Sequence, residues 1–293
     1  MRVIVVGGAG YVGCELTKLL LKNDYKVTVY DLFIYGDNLK ENKNLTKIKG
    51  DIRDKKKLEK IVTNYDVLIH LACISNDPSF DLNPELGKSI NFDPFEHLVK
   101  ISKGNGVKRF IYASSSSVYG IKEEENVNET FSLKPLTDYS KFKAMCEEIL
   151  LKHNDKNFNC CIIRPATCCG YSDRQRLDLV VNILTNHGYN NKLIKVFGGS
   201  QMRPNINIKD MCNSYLHVMK SLEKNINGQI FNVGFENMPV IEIAKLVKKV
   251  LGGSINILQE KSDDLRSYHI SSAKIKKILN FKNKFNIEDA ILD

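Results

Sequence analysis

A glycine-rich turn near the start of the chain constrains the fold more than any other feature. Residues 7–13, GGAGYVG, follow the apolar segment 2–6 and precede a segment whose apolar residues recur at helical spacing. Glycines permit a tight turn and let backbone N–H groups approach a pyrophosphate at the helix N-terminus. A strand, this turn and a helix in succession predict the start of a dinucleotide-binding fold, with a purely structural turn as the alternative.

Short apolar segments alternate with helical patterns through the first half of the chain. This rhythm is typical of a parallel, doubly wound α/β sheet. We predict strands at 2–6, 26–30, 45–49, 66–72, 108–113 and 159–164, a helix over 89–103, and a helix that begins at Thr137 or Asp138. The later predictions are helices at 177–184, 212–219, 243–251 and 273–279, and strands at 193–197 and 229–233.

The rhythm of strands and helices loosens after Pro165, which predicts a change of architecture. We expect a Rossmann-type NAD-binding domain in residues 1–166 and, in 167–293, a smaller C-terminal lobe that binds substrate. Part of that second half, about 204–235, is expected to return to the Rossmann sheet.

Charge and cysteine usage exclude several classes of function. The formal net charge is +9, but the lysines are spread along the chain, which favours a solvated surface over a nucleic-acid or membrane patch. The eight cysteines include no C-x-x-C pair and the six histidines are scattered, so no metal site is predicted. No apolar run approaches ~20 residues, and the chain opens on a strand, so we expect a cytoplasmic protein with reduced thiols.

Asp31 closes the second predicted strand, 18 residues beyond Gly13. A carboxylate at this place can accept hydrogen bonds from the ribose hydroxyls of adenosine and would repel a 2′-phosphate. The next residues, Leu32 and Phe33, supply no cation for such a phosphate. The pattern predicts NAD rather than NADP, with a capping aspartate as the alternative.

The segment YASSSSVYG, residues 112–120, places four serines at the end of the fifth predicted strand, where doubly wound sheets bind their ligands. Downstream, Tyr139 and Lys143 lie four residues apart and so share one helix face. A tyrosine with a pKa of about 10 is a poor base, and a fixed lysine cation favours its phenolate. These residues predict proton transfer with a sugar hydroxyl; an ordinary amphipathic helix is the alternative.

These motifs together resemble the extended branch of the short-chain dehydrogenase/reductase superfamily, the NAD-dependent nucleotide-sugar epimerases and dehydratases. The resemblance also rests on GDIRD at 50–54, HLA at 70–72, RPAT at 164–167 and RPNINIKD at 203–210. It implies that Ser115, four residues before Tyr119, is catalytic with Tyr139 and Lys143. It further implies NAD contacts from Gly7, Gly10, Tyr11, Val12, Gly13, Asp31, Asp51, Ile52, Leu71, Ala72, Tyr139 and Lys143.

The implied substrate is a nucleotide-diphosphate sugar, and arginine suits a diphosphate because its guanidinium is permanently charged and bidentate. Arg203 most closely resembles the diphosphate arginine of the family. Thr167 stands where many relatives have a substrate-contacting asparagine. The full candidate set for the substrate is Ser75, Ser116, Thr167, Arg174, Arg176, Arg203 and Arg266.

An NAD-retaining epimerase that acts through a transient keto-sugar is the leading interpretation of these residues. The alternative is an NAD(P)H-dependent reductase of a keto-sugar nucleotide, which would use the same catalytic residues. A 4,6-dehydratase is demoted because Ser116 and Ser117 stand where that class carries an acid, and a non-catalytic NAD sensor would need neither Tyr139 nor Lys143. The resemblance also implies a homodimer formed by the helices near 89–103 and 137–152.

Asp31 should make the protein selective for NAD. Titration of the protein with reduced cofactors should show much weaker binding of NADPH than of NADH, because the carboxylate repels the 2′-phosphate. Equal affinities for the two cofactors would remove this role of Asp31.

Overall fold

The computed structural model describes residues 1–262 and 267–293 and is built around a parallel sheet. The strands are β1 (Arg2–Val6), β2 (Lys26–Asp31), β3 (Leu45–Lys49), β4 (Val67–His70), β5 (Arg109–Ala113), β6 (Asn159–Pro165), β7 (Thr167–Cys169), β8 (Leu193–Phe197), β9 (Met202–Asn207), β10 (Gln229–Val233), β11 (Glu236–Pro239) and β12 (Asn256–Glu260).

Helices connect these strands. They are α1 (Tyr11–Lys22), α2 (Lys55–Ile61), α3 (Asp77–Asp81), α4 (Pro84–Asn91), α5 (Phe95–Gly104), α6 (Asp138–His153), α7 (Val180–Asn191), α8 (Ile208–Lys220), α9 (Glu223–Ile226), α10 (Val240–Leu251), α11 (Ala273–Leu279) and α12 (Ile287–Leu292). A short 3₁₀ turn covers Ser116–Tyr119.

In the described part of the chain, seven strands form the main sheet in the order β10-β6-β5-β4-β1-β2-β3, and every pairing is parallel. The chain moves outward from β1 to β3 and then returns to place β4 on the other side of β1. That reversal opens a crevice beyond the carboxyl ends of β1 and β4. The predicted α/β doubly wound fold is therefore confirmed.

The side chains of β1 alternate between two cores, as burial on both faces of a parallel sheet requires. Val3 and Val5 pack with α1 and α8 on one face. Ile4 and Val6 pack with α2, α5 and α6 on the other.

The C-terminal half contributes β10 to the main sheet and builds a lobe beside it. β11, β9 and β7 form a small sheet, and β12 pairs with β8. A third apolar core joins α7, α10 and α12 with β8. The division of the chain at residue 166 into two domains stays a prediction.

Two predicted helices have different bounds in the structure. The segment 89–103 is not one helix: α4 ends at Asn91 and α5 begins at Phe95, after Pro94. Proline lacks the N–H that a helix interior needs, so it starts a new helix instead of continuing the old one. The helix predicted over 177–184 begins at Val180 and continues to Asn191.

In the ranges 1–262 and 267–293, no helix has the length and apolar character needed to cross a membrane.

Candidate active site

The glycine turn forms an open cradle at the N-terminus of α1. Gly10 precedes the helix and has no side chain to cap it, and the first turn of α1 contains no acidic residue, so its N–H groups are left free. A Cβ placed on Gly10 would meet only the carbonyl oxygen of Gly7, at 3.5 Å, so this side of the turn is open. Free N–H groups and the helix dipole attract an anion there. The residues present therefore fit the diphosphate of a dinucleotide.

Gly7 is required for a different reason. Its φ of +87° lies in the left-handed region, and a Cβ there would be 2.4 Å from the backbone nitrogen of Ala72. Both Leu71 and Ala72 donate backbone hydrogen bonds to the carbonyl of Val6. The end of β4 is thus brought against the turn, which places the predicted cofactor residues 71 and 72 at the crevice.

The Asp31 carboxylate is fixed at the end of β2. One of its oxygens accepts a hydrogen bond from the N–H of Ala9 at 2.9 Å, and the other accepts from the N–H of Phe33 at 2.9 Å. Each carboxylate oxygen can accept a further hydrogen bond. Asp31 can therefore hold the glycine turn and still accept hydrogen bonds from ribose hydroxyls.

The remaining predicted cofactor residues differ in what they contact. The Tyr11 hydroxyl donates to the carbonyl of Gly170 at 2.7 Å, so it ties α1 to the segment after β7. Ile52 is buried beside the sheet. The Asp51 carboxylate accepts hydrogen bonds from Arg53, and this contact lowers the pKa of Asp51.

Tyr139, Lys143 and Ser115 come together at the carboxyl end of β5. Thr137 caps α6 and forms a capping box with Ser140, which fixes the first turn of the helix that carries Tyr139. The Lys143 ammonium is buried, donates a 2.6 Å hydrogen bond to the carbonyl of Ala113, and lies 5.8 Å from the centre of the Tyr139 ring.

The titration of Tyr139 is controlled by its surroundings. Burial raises the pKa of the Tyr139 phenol above its ordinary value, and the nearby Cys73 thiol adds to this effect. The Arg176 guanidinium and the hydrogen bond from Ser115 act in the opposite direction and lower that pKa. Ser115 is therefore close enough to the predicted proton-transfer group to affect its pKa.

The four serines have separate environments because they alternate between the protein interior and the crevice. Ser114 is buried and donates to Glu147 of α6. Ser115 and Ser117 are half-buried, and their hydroxyl oxygens lie 2.8 Å apart. Ser116 is buried, with its hydroxyl oxygen 3.5 Å from that of Tyr268. Ser115 is the serine that interacts with Tyr139.

The predicted substrate residues lie in different parts of the structure. Arg176 is paired with Asp178 through a 2.5 Å contact and is close enough to Tyr139 to affect its pKa. Arg203 lies in β9, and Thr167 begins β7, the neighbouring strand of the small sheet. Arg174 instead lies over the ring of Tyr35, in the chain that follows β2. Arg266 lies outside the described residues.

The segment after β4 carries Ser75, one of the predicted substrate residues, and makes contacts that the sequence pattern did not identify. The sulfur of Cys73 lies 3.2 Å from the hydroxyl of Ser75. The Asn76 amide donates to Asp178 at 2.5 Å, and the Asp77 carboxylate accepts from the Thr137 hydroxyl at 2.6 Å. This loop connects the N-terminus of α6 to the segment that carries Arg176, a contact between distant parts of the chain that local patterns do not predict.

A metal ion has no evident ligand set here. Throughout residues 1–262 and 267–293, no three or more His, Cys, Asp or Glu side chains lie close enough together to hold one. The three glutamates at residues 123–125, in the loop after the serines, are exposed.

Comparison with known proteins identifies a family and relatives that match most of this chain. The model of the NAD dependent epimerase/dehydratase family matches residues 3–234. A UDP-glucose 4-epimerase of Lactobacillus helveticus is 25% identical over 99% of this chain and 95% of its own length.

Solved structures show the same fold over the whole chain. The UDP-glucuronic acid 4-epimerase of Bacillus cereus, in complex with UDP-glucuronic acid and NAD, is 27% identical with a TM-score of 0.90, covering 100% of this chain and 97% of its own. The UDP-N-acetylglucosamine 4-epimerase of Methanobrevibacter ruminantium is 24% identical, also with a TM-score of 0.90, over 99% of this chain and 97% of its own.

Substituting Gly10 tests the cradle. Gly10→Ala should leave the free energy of unfolding nearly unchanged, because the backbone at Gly10 is extended (φ −80°, ψ −176°) and the added methyl meets only the Gly7 carbonyl oxygen, at an ordinary contact distance of 3.5 Å. It should nevertheless weaken NAD binding by at least about tenfold, since the methyl stands where the diphosphate must approach.

Calorimetric titration of cofactor-free protein with NAD measures this affinity. Gly104→Ala, at the end of α5, is the matched control because a Cβ there meets nothing within 4 Å and the site lies far along the chain from the cradle. NAD binding by Gly10→Ala as tight as that of the unchanged protein would show that the cradle does not hold the diphosphate.

Proposed function

Because the chain belongs to the NAD-dependent epimerase/dehydratase family, whose members are enzymes with NAD as cofactor, we propose that it epimerises a nucleotide-linked sugar and keeps NAD bound throughout. The observation that carries this proposal is the meeting of Ser115, Tyr139 and Lys143 at the carboxyl end of β5, on the sheet edge where the glycine cradle also lies. A hydroxyl, a phenol and a buried cation brought together in this way are suited to oxidising and re-reducing a sugar alcohol.

In this proposal each side chain performs one task. Tyr139 takes the proton from the sugar hydroxyl as the alcohol becomes a ketone, and it returns that proton when the ketone is reduced. Ser115 orients the reacting oxygen through its own hydroxyl, while the Lys143 cation favours the phenolate of Tyr139. When bound, NAD⁺ supplies the hydride acceptor. Burial of the phenol excludes water from the proton transfer.

We further propose that the substrate is a UDP-sugar and that the reacting carbon is C4. The relatives described above support this choice, since they are named for 4-epimerisation of UDP-glucose, UDP-glucuronic acid and UDP-N-acetylglucosamine. Arg176 beside Tyr139, and Thr167 with Arg203 in the small sheet, are the groups proposed to hold the sugar nucleotide.

A reductase of a keto-sugar nucleotide is the second candidate, because it would use the same three residues. Purified protein should be incubated with UDP-sugars without added cofactor and then with NADH, and the products separated by chromatography. Conversion without added cofactor supports the epimerase, whereas stoichiometric consumption of NADH supports the reductase.

The substitution Tyr139→Phe removes the hydroxyl and keeps the ring. Turnover should fall on the order of 10²–10⁴-fold, the usual contribution of general acid–base catalysis, while bound NAD is retained. Chromatographic assay of the sugar nucleotides measures the first quantity, and the cofactor content of the purified variant measures the second.

The serines supply matched controls for this substitution. Ser115→Ala should also lower turnover, because that hydroxyl interacts with Tyr139. Ser116→Ala and Ser117→Ala should cost less. If Ser117 proved indispensable and Ser115 did not, the assignment of the four serines would be wrong.

We also propose a homodimer formed through α5 and α6. Cys146 and Leu150 of α6 are buried in the main core, but Met145 is 43% exposed and Phe142 and Ile149 are only half-buried. A second apolar face on a helix that already packs on the sheet suits a partner helix. Light scattering at micromolar concentration should give about twice the 33.3 kDa chain mass. A monomeric mass would contradict the dimer.

A further inference from the structure

A segment between β7 and α7 crosses over the first helix of the fold. We call residues 171–178 the strap. The Ser172 hydroxyl donates to the carbonyl of Tyr11 at 2.8 Å, in the first turn of α1. The Asp173 carboxylate pairs with Lys18 at 2.6 Å, and the N–H of Asp173 donates to Glu15 at 3.3 Å. The strap is therefore held along α1, beside the glycine cradle.

The strap also reaches the chain that follows β2. The Arg174 guanidinium carbon lies 3.7 Å from the centre of the Tyr35 ring, a close cation–π stack. Tyr35 comes four residues after Asp31 and is 67% exposed, so the apolar core does not hold its ring in place. The stack joins two segments that are far apart in sequence, the strap and the chain that follows β2.

A cleft of about 370 Å³ lies between these segments. It is lined by Tyr35 and Asn38 on one side and by residues 173–178 of the strap on the other. The fixed carboxylate of Asp31 marks the place of the adenosine ribose, and the cradle marks the place of the diphosphate. The chain just beyond Asp31 is therefore next to the adenosine half of the cofactor.

We propose that Tyr35 and Arg174 form a clasp that closes over the adenosine half of bound NAD and slows its release. This inference rests on the proposed function, because an epimerase must return the hydride to the same substrate and gains from a cofactor that stays bound. Both side chains line the cleft, and the guanidinium would add positive charge near the bound diphosphate. Arg174 is thereby assigned to the cofactor instead of the substrate.

Release of the cofactor is measured directly, without any sugar. The protein is loaded with NADH and mixed with a large excess of NAD⁺, and the loss of bound-NADH fluorescence gives the release rate. The chain contains no tryptophan, so protein fluorescence does not obscure the signal.

The variants Arg174→Ala and Tyr35→Ala should each release NADH on the order of tenfold faster than the unchanged protein. The double variant should be no faster than either single variant, because the two side chains act as one unit. Tyr35→Phe keeps the ring and should release NADH at the original rate. Arg2→Ala is the matched control, since Arg2 also lies over a tyrosine ring, that of Tyr65, at 5.2 Å but at the opposite end of β1.

An unchanged release rate in both alanine variants would overturn the clasp. So would fully additive effects, which would show that the two residues act independently. If Arg174→Ala raised the KM for the sugar nucleotide and left NADH release unchanged, Arg174 would be a substrate-binding residue, as the sequence predicted. Because release is measured without turnover, a protein inactive on every sugar tested would contradict the proposed function and still allow the clasp to be judged.

Discussion

A buried ion pair between Glu147 of α6 and Arg164 of β6 fixes α6, the helix that carries Tyr139 and Lys143, against the sheet. The closest nitrogen and oxygen lie 2.6 Å apart, and both side chains are 3% exposed. Ser114 donates to this glutamate, and Arg164 donates to the Tyr119 hydroxyl at 2.8 Å. Removing one partner of such a pair costs about 3–5 kcal/mol of stability. A shift of α6 that breaks the pair is therefore unfavourable. Tyr139 lies on the same helix face two turns earlier, and its position opposite the serines therefore depends on this pair.

The same packing that positions the site also changes its chemistry. Tyr139 is held among buried groups, which raises its pKa, and Ser115 and the Arg176 cation counteract that effect. The Lys143 cation is held by the carbonyl of Ala113, at the end of the strand that leads to Ser115. Strand β5 thus orients both the cation and the hydroxyl. A proton-transfer site of this kind needs fixed dipoles more than flexible charges, because preorganised groups need no rearrangement during reaction.

Local sequence patterns predicted the parts of the molecule that local forces determine. The turn at residues 7–13, the carboxylate of Asp31 and the spacing of Tyr139 and Lys143 each depend on backbone geometry over a few residues. The turn and Asp31 lie at the carboxyl ends of β1 and β2, and Lys143 contacts the carboxyl end of β5, on the same edge of the sheet. The Asn76–Asp178 contact and the Tyr35–Arg174 stack join segments about 100 residues or more apart, so no periodicity reveals them. The break at Pro94 had a local signal, which the apolar spacing across 89–103 outweighed.

Retention of the hydride distinguishes an epimerase that keeps its NAD from a reductase that consumes NADH. A UDP-sugar carrying deuterium at C4 should be incubated with the purified protein, without added cofactor, and the product examined by NMR. We expect the C4 epimer with deuterium still bound to C4, because the hydride leaves and returns to the same carbon inside the closed site. Loss of the deuterium to water, or conversion that requires one NADH for each product molecule, would contradict the proposed epimerase.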